Sequence, residues 1–235
     1  MPTFRMEGFD PTHTDFEPAK KAVVESIFSN IGYPPLKSDV VHIINVPGRE
    51  KPLYRSDTPH EEILVTVPSE PPRQLLPGNY PCKFAYQLAH EFGHMSARAD
   101  LRFPRRDGLN WIEETLAEAH SLIAIRKIAE TAGPLQENAR KYDVELHQKN
   151  REVPINREWY AANGDRLCAM ESVDDRGESL ARYLFDRVPH DRILADNRLL
   201  LELGTGRDLA TFLEIWRQRG GDGTSVPSIL AALLP

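Results

Sequence analysis

Cysteine is nearly missing: only Cys82 and Cys168 occur in 235 residues, and they form no Cys-x-x-Cys pair. A disulfide-stapled scaffold is thereby excluded, each thiol reads as a small buried hydrophobe, and a reducing compartment fits best. No apolar run approaches the length of a membrane span, so no membrane association is expected. The first residues, Met1 to Glu7, lack the apolar stretch of a secretory signal. A cytoplasmic protein is expected, or one exported by a route that needs no cleavable signal. Positive charge is also not in excess. Lys and Arg number 29 against 35 Asp and Glu, a net charge of −6, which disfavours nucleic acid as a partner. Internal repeats and low-complexity tracts are absent. What is present is 40% hydrophobic and 27% charged residues, the balance of a folded globular chain.

Residues 1–17 are polar and interrupted by proline, which predicts an arm over the surface. Ala22, Val23, Ile27, Phe28 and Ile31 recur at helical spacing over 18–31, and Gly32 with Pro34-Pro35 stops that helix. Val40 to Val46 reads as a buried strand ended by Pro47-Gly48, and Ile63 to Val67 as a second ended by Pro68. His42 and His60 fall on or near these strands and read as structural or solvated. Two stretches lack periodicity. Residues 68–79 are a Pro-rich connector or part of a substrate wall, and 96–110 form a second loop. The second loop carries Arg98, Arg102, Arg105 and Arg106 against Asp100 and Asp107. It is either a solvated loop or an anion-attracting rim. From Trp111 onward the pattern is helical, over 111–132, 135–150, 157–172, 177–187, 191–202, 207–219 and 226–234.

The expected fold is α+β and mostly helical. A small α/β N-terminal part, about 18–110, precedes an all-helical part, about 111–235, within one catalytic domain of residues 1–235. A cleft between the two parts is the natural place for a site.

The stretch richest in chemistry is His90-Glu91-Phe92-Gly93-His94, a His-Glu-x-x-His pattern. On a helix, residues four apart share a face, so His90 and His94 can grip one metal ion, and Glu91 can reach a water on that metal. With 8 His and 20 Glu in the chain, chance predicts about 0.02 such matches. The helical context is present. Pro81 suits a first turn, Asn79 an N-cap, and Phe84, Leu88, Phe92 and Met95 supply a buried face.

Catalytic zinc usually takes three protein ligands and keeps water in the fourth place. Downstream lies Trp111-Ile112-Glu113-Glu114-Thr115-Leu116-Ala117-Glu118, on a helix. Together the two stretches resemble the gluzincin metallopeptidases, the thermolysin-like clan that includes many aminopeptidases. In that clan a glutamate 19 or 20 positions after the second histidine completes the site, which here means Glu113 or Glu114. The resemblance favours Glu114. A tryptophan three before the ligand matches the aminopeptidase pattern, and Glu118, one turn later, stands where the clan places an acid that orients the first histidine. By that likeness Glu118 accepts the outer N–H of His90, and Glu113 supports the site without ligating. The likeness covers residues 88–94 and 111–118 alone. The chain departs from thermolysin at Glu113, where that enzyme has an amide residue, and no counterpart of its transition-state donors can be recognised.

Other residues compete for these roles. Metzincin-like enzymes take their third ligand six positions after the second histidine, here Asp100. Their glycine bend, however, falls on Ala97, where Cβ resists positive φ, and Met170 sits in a helical stretch instead of a turn. His120 is a further, weaker ligand candidate. Tyr142, His147, Tyr160, Tyr183 and His190 are all able to hold an oxyanion. The expected function is zinc-dependent hydrolysis of an amide bond in a peptide, a protein or a small amide-containing molecule, with Glu91 as general base. The alternatives are a regulatory or interaction protein on a gluzincin scaffold, and an exported effector or toxin with one protein target.

Overall fold

The computed structural model describes residues 2–10, 15–49, 51–56, 58–67, 80–97, 109–149, 153–170, 174–200, 203, 208–220 and 223–234. The elements run β1 (Thr3–Glu7), α1 (Phe16–Phe28), β2 (Val40–Asn45), β3 (Leu53–Arg55), β4 (Glu61–Val65), α2 (Tyr80–Ala97) and α3 (Asn110–Glu130). They continue through α4 (Gln136–Lys149), α5 (Arg157–Cys168), α6 (Asp175–Arg187), α7 (His190–Leu199), α8 (Leu209–Gly220) and α9 (Val226–Ala231). This is an α+β fold, mostly helical, with a small four-stranded sheet near the N-terminus. No described helix is long and apolar enough to cross a membrane. Two compact units result, one of Met1–Phe92 with Ser121–Gln148 and the other of Gly93–His120 with Lys149–Pro235, so α2 and α3 each give a segment to both.

In the first unit the strands lie in the order β1-β2-β4-β3. β1, β2 and β4 are parallel, and β3 is antiparallel to β4. One face alternates inward, with Val41, Ile43, Ile63 and Val65 fully buried. From α1, Ala19, Val23 and Ile27 are buried as well, as its 3.6-residue spacing requires. Aromatic rings tie these elements to α2. Phe4 of β1 lies 5.4 Å from Phe92, Phe28 of α1 lies 5.0 Å from Phe92, and Phe16 lies 5.2 Å from Phe84. Helix α1 stops where Gly32 takes a positive φ of 68° and returns its N–H to the Phe28 carbonyl at 2.9 Å. One carboxylate is sealed into this unit. Glu61 is fully buried, yet it accepts from the Tyr54 hydroxyl at 2.6 Å and the Lys37 amide at 2.9 Å, so its desolvation is compensated.

Strand β1 corrects the expectation of a surface arm over residues 1–17. Its residues pair with β2 in register from Thr3↔Val40 to Glu7↔Ile44. The physical reason is an inward pair, Phe4 and Met6, alternating with outward Thr3, Arg5 and Glu7. Two apolar residues are too few to mark a strand in a polar, proline-interrupted stretch. Strand β3 was likewise not expected; it is three residues long, and only Tyr54 of it is buried.

Among the described residues the regular elements of the second unit are all helices. Trp111, Leu116, Leu180, Leu184, Ile193, Leu194, Phe212, Trp216 and Val226 are among its buried side chains. Asn156 caps α5 through the Trp159 amide at 2.8 Å, and Asp174 caps α6 through the amides of Arg176 and Gly177. Fully buried Asp196 joins three helices. Its carboxylate meets Arg192 Nε at 2.9 Å and accepts from the Val226 amide at 2.8 Å, while its carbonyl accepts from Trp216 Nε1 at 3.1 Å. Burial of that charge is tolerated because it is paired and hydrogen-bonded.

Candidate metal centre

Helix α2 places its apolar residues where the pattern requires. Phe84, Leu88, Phe92 and Met95 are all fully buried, and Pro81 occupies the first turn. Turning that face inward presents His90 and His94 together, each half-buried, with Glu91 beside them at 3% exposure. The ligand atoms of His90, Glu91 and His94 lie within 4.8 Å of one another, and they are the one group of three potential metal ligands this close among the described residues.

Helix α3 supplies two acids to His94. Its Nδ1 stands 2.9 Å from Glu113 Oε1, and its Nε2 stands 3.8 Å from Glu114 Oε1. A carboxylate can only accept, so the ring N–H at Nδ1 donates to Glu113. With Nδ1–H given to Glu113, a neutral ring would carry its lone pair on Nε2, the nitrogen that faces Glu114. Two ligands of one tetrahedral zinc at 2.0–2.1 Å stand about 3.3 Å apart. The separation of 3.8 Å between Nε2 and the Glu114 oxygen is close to that value. Glu114 is not part of the 4.8 Å group formed by His90, Glu91 and His94. The donor set of two imidazoles, one carboxylate and an outer carboxylate on a histidine N–H fits a catalytic zinc site.

The remaining acids and alternatives fall as follows. Glu118 is 4% exposed, which removes the reading of it as a solvated acid. Asp100 and the arginines of residues 98–106 lie outside the described residues, as does the 68–79 connector. Ala97, at the position of the metzincin bend, is helical and 2% exposed. His120 is fully buried with Nδ1 at 2.8 Å from the Leu116 carbonyl, so that ring N–H donates and Nε2 accepts from Asn197 at 3.3 Å. Both ring nitrogens are thus engaged in structure. Of the oxyanion candidates, Tyr142 packs edge-on against Tyr86 at 6.0 Å and His190 stacks on Phe185 at 4.3 Å. Tyr183 carries the Arg187 guanidinium over its ring at 3.9 Å. Tyr160 lies 6.2 Å from Trp111, and burial pushes its hydroxyl up to about 12, so it stays a proton donor at neutral pH. The His147 side chain lies outside the described residues. Burial also pushes the Cys82 thiol up to about 11, leaving it an inert small hydrophobe, whereas Cys168 is exposed near the end of α5, against the expectation of a buried thiol.

Two residues not singled out in the sequence hold this arrangement. Gly93 of α2 lies directly against Ala117 of α3. A Cβ there would lie 2.5 Å from the Cα and 3.0 Å from the Cβ of Ala117. This crossing brings the turn bearing Glu113 and Glu114 to His94. Fully buried Asn197 donates from Nδ2 to the Gly93 carbonyl at 2.9 Å and ties the same point to His120. No sequence signal marks an asparagine 104 residues from its partner. Gly93→Ala forces two backbones apart and is expected to cost about 1–3 kcal/mol of stability. Denaturant unfolding alongside zinc titration checks this, with both stability and affinity expected to fall. A variant of wild-type stability and affinity would contradict the crossing.

No family model matches this chain, and no curated protein or solved structure matches it.

Proposed function

We propose that the chain is a zinc-dependent amide hydrolase, most simply a metallopeptidase of gluzincin type. The observation that carries this reading is the closure of His90, Glu91 and His94 to within 4.8 Å, with His94 held between the carboxylates of Glu113 and Glu114. His90, His94 and Glu114 would hold the metal. Zinc bound there would lower the pKa of a water to about 7 and polarise the scissile carbonyl. Glu91, next to the first ligand and sealed from bulk solvent, accepts a proton from the attacking water. Water oxygen bonds to the carbonyl carbon, Glu91 passes its proton to the amide nitrogen, and the C–N bond breaks to give an acid and an amine. Glu113 keeps His94 in the Nδ1–H tautomer, so that Nε2 is the ligand atom. Glu118 does the same for His90, as the resemblance to the clan implies. The substrate is a peptide, a protein or a small amide-containing molecule.

The reading is tested by incubating the purified protein with a defined peptide mixture and identifying new termini by mass spectrometry. Cleavage is expected, to be lost on metal chelation and restored by added zinc. Cleavage that persists undiminished after complete chelation would overturn the metal-dependent reading.

A further inference from the structure

We propose a second, weaker transition-metal site on the outer face of the sheet, formed by His42 of β2 and His60 of the turn before β4. The two rings are neighbours, with centroids 5.2 Å apart and planes inclined at 43°. That separation matches the spacing of two imidazoles that share one ion. Two imidazoles bound through nitrogen at about 2.05 Å to one tetrahedral metal place their centroids about 5 Å apart.

Each ring is oriented from behind. His42 Nδ1 meets Glu7 Oε1 at 2.5 Å, and His60 Nδ1 meets the Ser38 hydroxyl at 3.5 Å. The Glu7 contact makes Nδ1 of His42 the donor, so a metal would be taken at Nε2, the carboxylate–histidine arrangement that supports metal ligands. Among the described residues no hydrogen bond engages Nε2 of either ring. Position on the sheet explains the access. In β2 the buried side chains are Val41 and Ile43, so His42 stands on the opposite face with its side chain 20% exposed, and His60 is exposed. Glu62, the register partner of His42, shares this face, but its carboxylate is turned to Arg55 at 3.6 Å.

Two imidazoles with no third ligand in place suit the borderline ions zinc, copper and nickel, not the oxygen-seeking calcium or magnesium. The remaining coordination positions fall to solvent, which makes the site weaker than one with three protein ligands. Bound metal would clip β2 to the entry of β4, across the register that aligns Val41 with Glu61. This inference rests on different residues from those of α2 and does not depend on the catalytic reading.

The test is a titration of the full-length protein with zinc chloride, followed through the imidazole signals of each histidine by NMR. His42 and His60 are expected to respond together at one affinity, separate from any response of His90 and His94. His42→Gln should abolish the response of His60, and His60→Gln that of His42, in folded protein. Glu7→Gln should weaken the joint response by about 10–100-fold while both rings stay in place. Absence of any joint response in the wild type, or a His60 response that survives in His42→Gln, would overturn the site. Because each signal belongs to a named histidine, failure here is read separately from failure of the α2 centre.

Discussion

Replacing Glu114 with alanine is expected to weaken zinc binding by more than about 100-fold, beyond the 10–100-fold typical of residues that merely support a ligand. The motive is geometric. Glu114 Oε1 faces Nε2 of His94, whereas Glu113 Oε1 stands 2.9 Å from Nδ1, where it would accept the ring N–H. Loss of Glu113 or Glu118 should therefore stay within the 10–100-fold range, because each removes orientation and leaves three ligands in place. Competition with a chromophoric chelator, run on the three variants and on Asp100→Ala, separates these roles. Asp100→Ala is expected to bind zinc like the wild type. Were it the most damaged of the four, the third ligand would lie six residues after His94 and the assignment of Glu114 would fail.

Glu91→Gln is expected to keep stoichiometric zinc and to lose turnover by about 10²–10⁴-fold, the contribution of a positioned general base. The substitution preserves volume at a site only 3% exposed, so packing around α2 should survive. It removes one property, the capacity to accept and return a proton. Metal analysis beside an amide-cleavage assay reads the two quantities independently. Full activity in a zinc-loaded variant would exclude Glu91 as the base.

Much of the architecture is legible in the residues because hydrophobic periodicity and its breakers agree along most of the chain. The motif helix runs over Tyr80–Ala97 around the expected 82–95, and the long helix over Asn110–Glu130 against an expected 111–132. Helix α1 starts two residues earlier than expected and closes before Gly32. Strand β1 escaped because its signal is two apolar residues long, and β3 because three residues carry no period. The site divides in the same way. His90, Glu91 and His94 are readable because they sit four apart or adjacent on one helix, where sequence spacing is spatial spacing. Glu113 and Glu114 are adjacent in sequence and differ only in which ring nitrogen they meet. Helical phase and the approach of a second helix decide that, and the approach depends on Gly93 against Ala117. Asn197 stands further still from any local pattern, since its partners Gly93 and His120 lie 104 and 77 residues away.

The central claim is that α2 carries a metal site, and metal content tests it most directly. Protein expressed with zinc available, then dialysed to strip weakly held ions, is analysed by mass spectrometry for metals. The account predicts about one zinc per wild-type chain, tightly retained, and none in a folded His90→Ala/His94→Ala variant. A wild-type chain without stoichiometric divalent metal, or a double variant that holds as much as the wild type, would contradict it.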